Sequence, residues 1–470
     1  MEEKLFAGFA RVDITPKEGG MPLAGYGSTE RRLGSRVLAP LFINAVALSD
    51  EKETCLFLTL DIINTGEKLV RALREAIEKR TGAAGSRVFI GATHTHSAPD
   101  QYSSLPNLRR WADEFLPERA AEAAARALAD LKPARFSIGS GEAGRDGFRL
   151  NFCRYYYMTE IEKKHSYTPA DLYPVGDNFG TQYARDKKRY CYVGHEEEAD
   201  HSIQIFRFER DAADDIVLFN FAAHATITGG LMKTDLSPDF PGMTVQAIER
   251  LCPGVKASFL QGCAGNINAN TRMQEDGARG ITFGADRDVN AYSASLAAYV
   301  KVILETGMTP AKGAPLAFER RIHTARLDHS MDQMALDGAD ILERYEKEGY
   351  TQEIKDLCID RGYNSIYQLS AAKRKAAKGE TDSMELNAVR IGDCALVTAP
   401  FELFSQTGLH IKEKSPFKMT FVKSYSCGYQ SYLPSKNSTP NSYESNTAHY
   451  VRGTAEELET LFAEMLQNLK

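Results

Sequence analysis

The sequence predicts an α/β fold in which mixed sheet is flanked by helices and functional side chains sit at the carboxyl ends of strands. Three observations carry this. Short runs of β-branched and apolar residues alternate with helix-period patterns along the chain. No internal repeat or low-complexity linker interrupts them. Several of the apolar runs also finish on an ionisable or amide side chain, and ligand sites of open α/β sheets lie outside the carboxyl ends of the strands.

The elements follow in order. "CLFLTLD" (55–61) reads as a buried strand, and the helix behind it carries Leu69, Val70, Leu73 and Ile77 on one face. Asn64, with Glu67 three residues later, is its expected N-cap, and Gly82 its stop. "RVFIGAT" (87–93) is the next strand and "EFLPERAAEAAARALADL" (114–131) the next helix. Further strands are "IVLFNFAAH" (216–224), "ASFLQG" (257–262) and "CALVTAPFE" (394–402). A closing helix starts at Thr454, where "TAEE" fits a capping box, and packs down through Leu458, Leu461, Phe462, Met465 and Leu469.

Two segments depart from this alternation. Residues 155–200 hold eight of the 21 tyrosines with little periodicity, as an elaborated loop or lid would. Residues 331–380 are charged and helical in pattern, with Met331, Met334, Leu336 and Ile341 as the apolar component. Both read as insertions on the main scaffold.

Composition narrows the class. A chain of 470 residues, 43% hydrophobic and 26% charged, is globular. It is long enough for one large α/β unit with embellishments or for two domains. A net charge of −6 argues against nucleic acid as a partner. No apolar run approaches the roughly 20 residues of a membrane span, and "MEEKLFAGFARVDITP" lacks the basic start and long apolar stretch of a signal peptide. The eight cysteines are scattered with no CxxC pair, which points to buried small hydrophobes in a reducing cytoplasm.

The strand ends hold the chemistry. Asp61, the pair His94 and His96, His224, the stretch Gln261 to Asn266, and Glu402 each close an apolar run. In an extended segment, side chains at i and i+2 share a face. Two imidazoles in "GATHTHSAP" could therefore reach one ion, or one could ligate while the other meets substrate. Each residue also has a plainer reading. The histidines could be satisfied polar groups, Asp61 a helix cap, Glu402 a carboxylate favoured by a helix dipole, and "QGCAGNINAN" a glycine-enabled loop. Their shared topological position favours a site.

These same residues carry a family resemblance. "GFARVDITP" (8–16), "GYG" (25–27), "THTHSAP" (93–99), "NFAAHATITGG" (220–230), "SPDFPG" (237–242), "QGCAGNINAN" (261–270), "APFELF" (399–404) and "SYLPS" with "SYES" (431–445) follow one another in family order. The chain resembles the catalytic domain of the neutral/alkaline (non-lysosomal) ceramidases and their bacterial relatives. That resemblance implies a single catalytic domain over 1–470 and one zinc ion per chain. Its ligands would be His94, His224, Glu402 and Tyr432, with Tyr429 a competitor for the tyrosine. It implies that His96 and Arg154 face the substrate, and that Tyr443 is a second site tyrosine. The expected activity is hydrolysis of an amide or related acyl bond in a small-molecule or lipid-like substrate, with zinc lowering the pKa of its water towards about 7.

Two features depart from the family pattern. Asn268 stands where the ceramidases carry a serine needed for activity, and no C-terminal immunoglobulin-like domain like theirs is expected. Asn268 could donate a hydrogen bond to substrate but cannot act as an alkoxide. This difference leaves open a non-catalytic relative that binds a small ligand or partner, or a metal hydrolase acting on an ester or sugar-derived substrate. Barrel-type amidohydrolases also begin with HxH at a strand end, but the remaining histidines do not supply their later strand ligands.

Overall fold

A computed structural model describes residues 4–26, 32–145, 148–175, 188–197, 199–229, 233–271, 288–349, 351–363, 366–438 and 442–470. The largest sheet has nine strands. Its path runs Val255–Gln261, Asp215–Phe221, Ser202–Arg210, Lys132–Glu142, Phe6–Asp13, Phe42–Ser49, Thr54–Leu60 and Val88–Ala92, with Met308–Pro310 added against Lys132–Glu142. A second sheet orders Leu316–Arg326, Thr381–Ile391, Cys394–Thr398 and Thr420–Lys423.

The two sheets pack face to face through Phe57, Phe89, Phe206, Phe208 and Leu218 on one side and Val389, Leu396 and Phe421 on the other. Phe206 and Phe421 stack at 3.8 Å between ring centroids. Helices Glu67–Thr81 and Leu116–Ala129 cover one half of the large sheet's outer face. Asp239–Leu251 and Val289–Thr306 cover the other half. Thr454–Asn468 and Ser405–Lys414 cover the small sheet. The result is four layers: helix, sheet, sheet, helix. Strands buried on both faces lose the polar alternation of a half-exposed sheet, and Val88–Ala92 is accordingly buried throughout.

Most neighbours in the large sheet are antiparallel, but three of the five parallel pairs among the described residues lead into the site. Thr54–Leu60 pairs with Val88–Ala92, Asp215–Phe221 with Val255–Gln261, and Cys394–Thr398 with Thr420–Lys423. Chain 424–427 stitches their ends together. Ser424 N–H reaches Gln261 O at 3.1 Å, Ala92 N–H reaches Tyr425 O at 3.1 Å, and Cys427 N–H reaches Ile90 O at 2.7 Å.

Local expectations met mixed outcomes. The first helix buries Val70, Leu73 and Ile77 and ends at Gly82 with φ 76°. Its N-cap is Gly66, not Asn64. The chain first passes beneath the His94 turn, and the Asn64 side chain instead accepts from the Tyr102 hydroxyl. The last helix is capped by Gly453 at φ 100°, and no box forms. Thr454 already lies inside the helix, with its hydroxyl turned back to Val451 O at 2.9 Å.

In the 331–380 segment, helices Asp332–Asp337, Ala339–Glu348, Gln352–Asp360 and Ile366–Ala376 pack around Ile341, Leu342, Ile354 and Leu369. Leu336, expected in that core, is 72% exposed. In the tyrosine-rich segment, Tyr156–Glu160 pairs with Tyr173–Val175 and Tyr190–His195, while 176–187 and 198 lie outside the described residues. All eight cysteines are free and six are buried. Among the described residues no helix is long and apolar enough to cross a membrane.

One buried charge lies between the sheets. Lys423 is fully buried, with Nζ donating to Leu58 O at 3.3 Å and Thr59 Oγ1 at 3.2 Å. It passes so close to Gly91 that a Cβ there would sit 2.6 Å from its Cε. Burial pushes its ammonium down to about 8, against about 10.4 in an unfolded chain. The native state then binds fewer protons than the unfolded state between these values. Its contribution to stability therefore rises with pH across that window, and the desolvation cost is felt in full below it. Lys423→Met should raise the melting temperature at pH 7, by up to ~3 kcal/mol less two weak hydrogen bonds. The gap to wild type should narrow in melts run at pH 10; an unchanged gap would remove the buried charge as its cause.

Candidate functional site

The strand Val88–Ala92 ends two residues before His94, which adopts a left-handed φ of 65°. The HxH pair is therefore not an extended segment whose side chains share a face by alternation. The turn itself brings the rings together. His94 N–H donates to Ile62 O at 3.1 Å and His96 N–H to Ala225 O at 3.1 Å. His96 Nε2 then lies 3.1 Å from His94 Nε2. A non-glycine residue in this region costs of order 1–3 kcal/mol and persists only where its surroundings hold it. Tyr425, Cys427 and Ser431, all near the same centre, also have φ between 53° and 66°.

Hydrogen bonding fixes the tautomers. His94 Nδ1 donates to Ile63 O at 2.7 Å, which leaves the Nε2 lone pair facing inward. His224 follows strand Asp215–Phe221, and its Nε2 is 3.3 Å from His94 Nε2. Its Nδ1 lies 2.6 Å from Ala264 O and 2.7 Å from Arg154 Nη2. One nitrogen cannot serve both. With a proton it donates to Ala264 and frees Nε2 as a donor atom; bare, it accepts from Arg154 and moves the proton to Nε2. The first state is the one a metal ligand needs.

Glu402 arrives from the second sheet. Its Oε2 is 3.3 Å from His94 Nε2 and 3.3 Å from His224 Nε2. The other oxygen accepts from the Tyr429 hydroxyl at 2.6 Å, and the Tyr425 hydroxyl lies 3.3 Å from Oε2. Tyr432 pairs with Glu402 in the short parallel ladder of Glu402–Leu403 and Tyr432–Leu433, and its hydroxyl is 3.4 Å from His224 Nε2. Tyr432, not Tyr429, thus reaches the histidines. His94, His224 and Glu402 are all at most 2% exposed. His94, His96 and His224 each bring a ring nitrogen within 4.8 Å of the others, and the three could hold a metal ion.

Burial sets the electrostatics. It pushes His224 down to about 4, with Arg154 adding to the effect, and pushes His96 well below the usual imidazole range, with His94 and His224 adding. Burial alone would raise the Glu402 carboxyl, but the two histidines outweigh it and hold it well below the usual carboxylate range. Burial and Glu402 together raise the Tyr432 phenol.

The other expected residues fall at different distances from this centre. Arg154 is buried against the back of His224, with Nη1 on Glu444 Oε1 at 2.7 Å. Tyr443 is half-buried, its ring 5.9 Å from that of Tyr432. Asn268 is bridged to His224 through the backbone and is partly exposed. Asp61 and the amide-rich turn, read as strand-end site residues, do structural work instead. Asp61 accepts from Phe42 N–H at 2.8 Å, and burial pushes it up to about 7. Gln261 Nε2 holds Ala223 O at 2.8 Å, and Asn266 Oδ1 accepts from Ser405 N–H at 2.9 Å.

Sequence reasoning missed Tyr425, Glu444 and Arg32. Tyr425 stacks under His94 at 4.1 Å, and Glu444 was within a quoted motif but beside the residue singled out. Arg32 is 1% exposed and no carboxylate pairs it among the described residues. It donates to Ala24 O and His96 O at 2.9 Å and to Lys233 O at 3.2 Å. The Tyr26 ring lies over its guanidinium at 4.7 Å. An arginine within the polar stretch "STERRLGSR" gives no sequence signal for such a role.

Neither a protein-family model nor a curated protein sequence matches the chain. Solved structures do. The neutral ceramidase from Pseudomonas aeruginosa superposes with a TM-score of 0.68 at 16% identity, over 100% of this chain and 75% of that one. A structure described as ceramidase complexed with C2 gives 0.67 at 15% identity with the same coverage. At such identity the likeness is one of fold, and the fold of this chain is that of neutral ceramidase.

Gly25 sits at φ 103° with the space for a Cβ already filled, 2.4 Å from His96 Nδ1. Gly25→Ala should therefore displace His96 and cost roughly 1–3 kcal/mol from backbone strain. A lowered melting temperature, with the His96 side-chain NMR signals shifted, is the expected result. An unchanged spectrum would mean that the loop does not position the ring.

Proposed function

We propose that this chain is a zinc-dependent hydrolase that cleaves an amide (N-acyl) or related acyl bond. One zinc would be held by His94 Nε2, His224 Nε2, Glu402 Oε2 and the Tyr432 hydroxyl oxygen. The observation that carries this is the triangle of donor atoms. His94 Nε2, His224 Nε2 and Glu402 Oε2 are separated by 3.3 Å along all three edges. Arms of about 2.0 Å at tetrahedral angles give edges of about 3.3 Å, which is the zinc geometry for nitrogen and oxygen ligands. In the metal-holding tautomers, three electron-rich atoms also face one point in a buried space, an arrangement that a cation stabilises and that would otherwise be repulsive. Tyr432, with its hydroxyl 3.4 Å from His224 Nε2, would supply the fourth ligand.

When bound, a zinc ion supplies Lewis acidity and a water of lowered pKa. The chain supplies the rest. Ile63 and Ala264 carbonyls fix the histidine tautomers, and the Tyr429 hydroxyl holds the outer oxygen of Glu402. His96, kept neutral by burial, would donate a hydrogen bond to charge developing on the carbonyl oxygen, and Arg154 would add its positive charge from behind His224. Tyr443 and Tyr155 contribute to the aromatic wall next to Tyr432. Helix Ile366–Ala376 packs on Tyr443–Thr447, so the 331–380 insertion supports that wall from outside. No serine is required in this scheme. A single observation favours the alternative of a ligand-binding, non-catalytic relative: Asn268 occupies the position of the family's serine.

Metal analysis of the purified chain should find about one zinc, lost in His94→Ala and in His224→Ala. His96→Ala should keep the metal and lose about 10²–10³-fold in kcat. A panel of N-acyl, ester and glycosyl chromogenic substrates should show N-acyl turnover that chelation abolishes and zinc restores. Zinc-loaded protein inactive on the whole panel would favour the binding reading. Protein that takes up no zinc, and is not stabilised by it, would end the metal-centre reading.

A further inference from the structure

Glu444 lies behind the centre and has no part in holding a metal. Its carboxylate is fully buried in the short helix Tyr443–Thr447. Oε1 accepts from Arg154 Nη1 at 2.7 Å, and Oε2 accepts from the Tyr155 hydroxyl. The same hydroxyl is 3.0 Å from Ser442 Oγ, and Ser442 caps the helix by accepting from Ser445 N–H. On the far side, Arg154 is anchored through its backbone, with N–H on Asn266 O at 2.8 Å, and extends Nη2 to within 2.7 Å of His224 Nδ1.

A buried arginine–carboxylate pair is a poor way to gain stability, because desolvating both ions offsets much of their attraction. It is an effective way to fix a planar guanidinium in one orientation. Four residues from two distant stretches of chain, 154–155 and 442–444, close around that one orientation. In that orientation Nη2 lies 2.7 Å from His224 Nδ1.

We propose that Glu444 is a positioning residue, which clamps the Arg154 guanidinium in one orientation against the outer nitrogen of His224, so that Arg154 acts on the site through that ring. This rests on the hydrolase reading for its catalytic consequence, but the clamp itself does not depend on it. Glu444 touches neither substrate nor metal; it acts through Arg154. The motif "SYES" thereby supplies two functions from adjacent residues, Tyr443 to the pocket wall and Glu444 to the arginine.

The experiment is a double-mutant cycle of Glu444→Gln and Arg154→Ala in the zinc-loaded full chain. Glu444→Gln keeps length and shape, removes the charge and replaces one of the two accepting oxygens with a donor. We expect kcat to fall ten- to a hundredfold, the range for groups that orient others in metal sites, with zinc content and KM within twofold of wild type. Arg154→Ala should lose at least as much, and the double variant no more than the worse single. A merely structural role would lower melting temperature and zinc content together and leave kcat per bound zinc unchanged. The proposal is overturned if Glu444→Gln keeps kcat within twofold, or if the two losses multiply. A second readout needs no turnover: slowly exchanging Nη protons of Arg154, identified by their absence in Arg154→Ala, should become fast-exchanging in Glu444→Gln. If they persist unchanged, the clamp does not exist. If they respond while wild type hydrolyses nothing, the clamp stands and the hydrolase reading falls.

Discussion

Three electron-rich atoms held 3.3 Å apart in a buried space are the constraint around which the rest of this molecule is organised. Two belong to imidazoles and one to a carboxylate, and each follows a strand of a different parallel pair. Bringing them together costs desolvation and lone-pair repulsion, and the fold meets that cost with a dense set of fixed partners. The Ile63 carbonyl takes the outer ring proton of His94, the Ala264 carbonyl can take that of His224, and the Tyr429 and Tyr425 hydroxyls hold the carboxylate. Such outer partners decide which nitrogen is a lone pair and which way it points.

The backbone carries part of the same cost. His94, Tyr425, Cys427 and Ser431 occupy left-handed conformations that non-glycine side chains avoid. They cluster where the ends of the two sheets meet, because chain 424–427 must cross from the small sheet to the large one while hydrogen-bonding to both. An ordinary extended connection would run past the centre; the turned backbone places Tyr425 under His94 and Glu402 against both histidines. The strain is located where the packed double sheet over-determines the chain.

Buried charges divide into two kinds. Lys423 and Arg32 have no carboxylate partner among the described residues and satisfy their protons on carbonyls and a hydroxyl. Arg32 in particular joins Ala24, His96 and Lys233, three loop segments with no sheet between them to hold them together. Arg154 and Glu444 are instead a matched pair beside the centre. Both arrangements cost solvation energy, which the hydrogen bonds around each cation partly offset.

The sequence by itself determined the element types and the residues worth watching. The alternation of apolar runs with helical faces gave the α/β class. "THTHSAP", "NFAAH" and "APFELF" marked His94, His96, His224 and Glu402, which the fold brings together. It was less informative about caps and purely structural polar groups. Asn64, Asp61 and Gln261 carry the same side-chain types as site residues and differ only in which backbone group lies nearby. Tertiary structure alone decided that the three parallel strand pairs lie at one end of a double-layered sheet, since strand direction leaves no mark on a local apolar pattern. It also decided that His94 turns through a left-handed conformation, that Tyr432 and not Tyr429 meets the histidines, and that Glu444 pairs with Arg154 across 290 residues. Each of these depends on distances between segments far apart in the chain, and local sequence encodes preferences, not separations in space.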